Sequence, residues 1–244
     1  MDKRDKLNFS QLVLTLPIVV VLMLWIIYGV EIKFEKNFND LGIYPRTVKG
    51  LRGVLFSPFI HINAKHLLNN SIPLFVLSSL ALFFYGKTTY KVFLYGGLAT
   101  GMTTWLIGRQ AYHIGSSGLV YMLFSFVFFS GIIKKHYRLT SVSLIVVFLY
   151  GSMIWYLFPV KNSISWEGHL AGFVTGVALA YVYRKEGIVK KKFVFSKTEF
   201  DDMFDKQGNY LGDGSEQIEL DDSSQNSSSG QKYNYVYKPR DKQS

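Results

Sequence analysis

Gly115-Ser116-Ser117-Gly118-Leu119-Val120-Tyr121 runs without a break into Met122-Leu123-Phe124-Ser125-Phe126-Val127-Phe128-Phe129. A serine set between glycines at the mouth of an almost wholly apolar helix is an unusual place for a hydroxyl. Gly115 and Gly118 remove side-chain bulk, so a second backbone or a substrate can come close to it. The start of a helix also leaves N–H groups without intrahelical acceptors, and such donors suit a developing oxyanion. Taken alone, Gly-x-Ser-Gly reads better as capping and packing of a membrane helix. The rest of the chain decides between the two readings.

Working outward, apolar runs dominate. Of 244 residues, 49% are hydrophobic and 18% charged, and several runs reach the roughly 20 residues that cross a bilayer core. The sequence therefore predicts an all-α, multi-spanning membrane protein. The spans are expected at about residues 11–30, 65–85, 90–107, 115–133, 141–158 and 166–183, with Pro17 as a kink and Pro159 as a stop. The first run is too long for a signal-peptide core and is read as a retained span. Residues 31–60 alternate charge with Phe, Ile and Leu, as a long first loop lying at the interface would. Gly97-x-x-x-Gly101 reads as helix packing, and Trp105, Trp155 and Trp166 as interface anchors. Residues 1–186 are expected to form the membrane domain. Residues 187–244 form a polar tail, Ser-, Asn- and Gln-rich between Ser223 and Gly230, with too little apolar content to fold alone.

The net charge of +10 does not point to nucleic acid, because no basic stripe carries interleaved aromatics. The basic clusters instead sit between spans: Lys3, Arg4 and Lys6, then Lys87 and Lys91, then Lys134-Lys135-His136-Tyr137-Arg138, then Arg184-Lys185. Six spans put all of them on one side, which the positive-inside rule makes cytoplasmic together with both termini. Cysteine is absent, which excludes disulfides and thiolate metal sites.

Three of the five histidines lie at or near the start of an even-numbered span. His61-x-x-x-x-His66-x-x-x-Asn70 leads into the second, and Trp166-Glu167-Gly168-His169-Leu170-Ala171-Gly172 opens the sixth. Even-numbered spans run in one direction, so His66, Asn70, Ser117 and His169 are expected at one depth, toward the outer face. At about 100° per residue, His66 and Asn70 share a face about 40° wide, and His169, Gly172 and Gly176 share one of about 60°. Glycine faces are where membrane helices approach most closely. The sixth span is thus expected to press on Gly115 and Gly118 and bring the His169 imidazole to the Ser117 hydroxyl, buttressed by Tyr121 one turn deeper.

The chemistry needs these residue types. A serine is a poor nucleophile until a base takes its proton, and neutral imidazole titrates near working pH. Each preorganised oxyanion donor is worth on the order of 3 kcal/mol; His66, the Asn70 amide and the Ser117 N–H are the candidates. Glu167 is the only acid near His169, and two residues of helix turn it about 200° away, so a Ser–His dyad without a carboxylate is expected. Singly, each polar residue reads as interhelical glue. Four converging at one depth do not. His61 is read as structural, His113 as a weaker rival base in a loop, and His136 as solvated. No His-Glu-x-x-His and no acidic ligand accompany the histidines, so neither a metal nor a cofactor is expected.

Together these motifs closely resemble the rhomboid family of intramembrane serine proteases: His61-x-x-x-x-His66-x-x-x-Asn70, Gly115-x-Ser117-Gly118-x-x-Tyr121 and His169-x-x-Gly172-x-x-x-Gly176, in that order. The resemblance implies a six-helix bundle, Ser117 as nucleophile, His169 as base, and His66 and Asn70 assisting the oxyanion. It also implies a wet cavity opening outward, with the fifth span and residues 158–164 as gate and cap. The implied partners are the lipid bilayer and single-span membrane proteins, cut in or beside their membrane segment. Where many relatives carry Trp-Arg in the first loop, this chain has Leu51-Arg52. An inactive rhomboid-like chaperone is the alternative, although such relatives usually lack the serine or the histidine. A transporter would need mid-span charges or paired broken helices, and neither is present. Neither a particular substrate nor an oligomeric state follows from the sequence.

Overall fold

The computed structural model describes residues 10–160 and 164–188, together with Phe200, Met203, Phe204, Gly208 and Tyr210. The expected basic residues Lys3, Arg4 and Lys6 and nearly all of the expected tail lie outside the described residues. The chain divides into a unit of Met1–Lys191 and a unit of Lys192–Ser244. In the second unit Phe204 and Tyr210 pair through a single antiparallel bridge, with ring centroids 5.6 Å apart.

The first unit is helical: α1 (Leu12–Lys33), α2 (Val48–Leu51), α3 (Gly53–Phe56), α4 (Ala64–Tyr85), α5 (Lys87–Lys91), α6 (Gly97–Ile107), α7 (Ser117–Lys134), α8 (Tyr137–Tyr150) and α9 (Trp166–Val182). A π-helical turn, Val92–Gly96, joins α5 to α6, and a 3₁₀ segment, Gly151–Leu157, continues α8. Among the described residues, four segments are long and apolar enough to cross a membrane: α1, α4, α7 and Tyr137–Leu157. The stretches expected as third and sixth spans differ from that pattern. The third is helical throughout but passes from α5 through the π turn into α6, so that no single run of regular α-helix spans it. Gly86, with a φ of 53°, ends α4 ahead of it. The sixth, α9, is 17 residues long. The helix expected to open at Gly115 starts at Ser117, since Gly115 has a φ of 103° that no helix accommodates.

α7 is the axis of the unit. Residues Val120, Tyr121, Met122, Leu123, Phe124, Ser125, Phe126 and Val127 are all buried, the mark of a helix enclosed on every side. α1 by contrast buries only Val13, Pro17, Leu24 and Glu31 and packs on α4. Against α7 lies α9, and the glycines explain how closely. A Cβ on Gly172 would overlap the Gly118 carbonyl, and one on Gly176 would overlap Ser125 Oγ and the Met122 carbonyl. Ser125 Oγ uses that proximity to donate to the Phe173 carbonyl at 2.8 Å.

The first loop is tied down rather than loose. Trp105 Nε1 donates to the Thr47 carbonyl (2.9 Å), and Arg52 Nη2 donates to the Asp40 carbonyl (2.9 Å) and carboxylate (3.1 Å). Ile43 and His113 exchange both backbone hydrogen bonds. At the far end of the bundle, Lys91 pairs with Glu186 (2.9 Å), holding that exposed carboxyl below its usual range, and Lys134 Nζ donates to the Glu186 carbonyl.

Candidate active site

Two local structures set the site. Asn63 caps α4, its side-chain oxygen accepting from the His66 N–H at 2.8 Å, so the helix begins where His66 and Asn70 share a face. Before α7, the Gly115 N–H donates to the Ser57 carbonyl (2.9 Å), and the left-handed turn at Gly115 delivers Ser117 to the first helical position. A side chain at Gly115 would press on His66 Cε1 (2.8 Å) and Nε2 (2.9 Å) and on Asn70 Nδ2 (3.3 Å). The glycine therefore lets the α4 polar groups approach the serine backbone.

Ser117 Oγ lies 2.9 Å from His169 Nε2, and His169 Nδ1 lies 3.0 Å from the Tyr156 carbonyl. A carbonyl only accepts, so the proton sits on Nδ1 and Nε2 is left as the acceptor of the Ser117 O–H. The Tyr121 ring stacks on the imidazole, with centroids 4.3 Å apart and planes 14° from parallel, while its hydroxyl donates to the Met153 carbonyl (2.7 Å). Asn70 Nδ2 and His66 Nδ1 are buried without a hydrogen-bond partner. A cavity of about 810 Å³ opens onto His66, Asn70, Ser117, Tyr121, Tyr156 and His169.

The other expected residues lie around this group as follows. Gly118, Gly172 and Gly176 line the α7–α9 seam. His61, 2% exposed, stands behind the serine with Nε2 3.4 Å from the Ser116 N–H and hydroxyl. Burial, helped by neighbouring His66 and opposed by the Phe59 carbonyl, pulls the His61 pKa down to about 4. The folded value lies below the unfolded one, so the stability this group contributes is complete above pH 6.5 and lost as pH falls toward 4. That loss is worth roughly 3 kcal/mol at 1.36 kcal/mol per unit. Thermal melts from pH 7 to pH 4 are expected to show it, and His61→Gln to flatten that dependence. His113 is occupied elsewhere: Nε2 donates to the Arg109 carbonyl (3.1 Å) and Nδ1 accepts from Ser165 Oγ (2.5 Å). Glu167 turns away from His169, as its helical angle requires, and meets Arg109.

Sequence reasoning missed the Tyr156 carbonyl, because a main-chain acceptor has no signature in residue type. It also missed Arg109, whose partner is distant in sequence. Among the described residues, no three of His, Cys, Asp and Glu converge to hold a metal ion.

The family model described as the Rhomboid domain matches residues 49–186. The chain belongs to the rhomboid family. The matched region of this rhomboid holds His61, His66, Asn70, Ser117 and His169 together. Uncharacterized proteins of Mycobacterium bovis and Mycobacterium tuberculosis are each 33% identical over 181 residues, covering 69% of this rhomboid and 74% of their own length. An uncharacterized Mycobacterium leprae protein is 31% identical over 173 residues, covering 66% and 67%. A rhomboid domain and four long apolar helices make this a multi-pass membrane protein.

Proposed function

We propose that this rhomboid is an intramembrane serine endopeptidase that cuts single-span membrane proteins within or beside their membrane segment. The observation that carries the reading is the 2.9 Å contact between Ser117 Oγ and His169 Nε2, with Nδ1 engaged by the Tyr156 carbonyl. Ser117 Oγ attacks the scissile carbonyl carbon as its proton passes to Nε2. The imidazolium returns that proton to the departing amine, and a water molecule activated by the same nitrogen hydrolyses the ester. The negative charge on the former carbonyl oxygen is met by the Ser117 N–H, the Asn70 amide and His66. The unpaired Asn70 Nδ2 supports that role, since a buried donor left without a partner is costly unless a substrate supplies one. Asn70→Ala is expected to lower kcat by about 10²-fold with little change in KM, read from steady-state cleavage of a reconstituted membrane substrate.

In this proposal all six expected spans cross the bilayer, α6 with the helical turns before it and α9 being the third and sixth. Both termini face the cytoplasm and the cavity faces outward across the cell membrane. Residues 1–186 form the protease domain, and 187–244 a cytoplasmic tail. The test is covalent: a fluorophosphonate probe should label the protein in liposomes, with the adduct mapped to Ser117. A folded protein that neither labels nor cuts would instead be a rhomboid that only binds membrane segments.

A further inference from the structure

Arg109 lies in the loop that leads into the nucleophile, and Glu167 in the first turn of the helix that carries the base. Glu167 is 2% exposed. Its carboxylate receives Arg109 Nη1 on both oxygens (3.2 Å each) and the Arg109 backbone N–H on Oε1 (3.3 Å). The same guanidinium donates through Nη2 to the Ile164 carbonyl at 2.8 Å. A second tie runs in parallel, because the Ser165 hydroxyl donates to His113 of the same loop. The Ser165 carbonyl in turn accepts the backbone N–H of His169 at 3.2 Å. Burying a carboxylate is expensive, and an ion pair compensates only when its geometry is good and its remaining donors and acceptors are filled. That condition is met here, on the face of α9 opposite His169.

The geometry points to Arg109 and Glu167 as positioning residues of the dyad: a clamp, its carboxylate buried and its guanidinium partly exposed, that makes the loop before Ser117 and the turn before His169 one rigid piece. The inference rests on the protease reading above. Neither side chain touches the reacting atoms. They act by setting the register of α9 against α7, where a displacement of about 1 Å can cost on the order of 100-fold in rate. Breaking the pair releases the first turn of α9 and lets the imidazole drift from the serine, while His66, Asn70 and Tyr121 keep their places in the cavity wall.

The test uses the full chain in liposomes and two readouts, the fluorophosphonate labelling rate per folded molecule and the kcat and KM of cleavage. Arg109→Ala and Glu167→Ala are each expected to slow labelling and lower kcat by about 10- to 100-fold, with KM within about threefold. The double variant should be no slower than the worse single, because both remove one interaction. Arg109→Lys, which keeps a charge for Glu167 without the fork, should recover part of the loss. Should either alanine variant fail to fold, Arg109→Lys and the near-isosteric Glu167→Gln carry the comparison, each expected to label more slowly than wild type. Labelling per folded molecule that matches wild type in these variants overturns the clamp and leaves the protease reading standing. Effects of the two alanine changes that multiply also overturn the clamp. A wild-type protein that does not label at Ser117 overturns both.

Discussion

Ser117→Ala and His169→Ala are each expected to reduce cleavage by on the order of 10⁴- to 10⁶-fold and to abolish fluorophosphonate labelling. The size follows from how the two groups share one step. Without the hydroxyl there is no covalent path. Without the imidazole, the Ser117 hydroxyl has no group at 2.9 Å to take its proton. Because the pair acts as a unit, the double variant should lose little more than either single. Folding should survive both changes, since neither side chain is a large core group and the α7–α9 seam stays glycine on glycine. Cleavage that persists at the wild-type rate in either variant would end the dyad assignment.

The second large effect is steric. Gly172→Val places a branched Cβ on the Gly118 carbonyl, where no flexible side chain is available to yield. Overpacking of a closed contact costs typically 1–3 kcal/mol, and backbone on both sides puts this site at about 3 kcal/mol or more. For a chain of this size that lowers Tm by roughly 6–12 °C. Activity should fall further than stability, because the change wedges apart the helices carrying the nucleophile and the base. Gly29→Ala is the control: nothing lies within 4 Å of its Cβ, so melting temperature and cleavage should match wild type. Gly172→Val with wild-type melting and cleavage would mean that α7 and α9 are not in contact at this point.

Much of this architecture was legible in residue type and spacing. The membrane class followed from apolar runs, and the family from three motifs that the Rhomboid domain match over residues 49–186 contains. The glycine face shared by His169, Gly172 and Gly176 argued for a close approach to the Ser117 helix through helix periodicity alone. Other features were not legible, each for a stated reason. The third apolar stretch carries a π turn at Val92–Gly96, and a positive φ at Gly86 ends α4 ahead of it. Hydropathy counts side chains and is blind to both. The group holding Nδ1 of His169 is a main-chain carbonyl, available at every position and therefore marked at none.

Composition and periodicity were enough to commit this chain to the bilayer, to pair its small residues and to nominate a hydroxyl and an imidazole, because helix geometry is local and repeats along the backbone. Tertiary contact alone decided which carbonyl fixes the imidazole tautomer, that Arg109 is the partner of Glu167, and that His113 is already occupied. Those pairings join residues 13 to 58 positions apart, and no local pattern encodes a partner at that range.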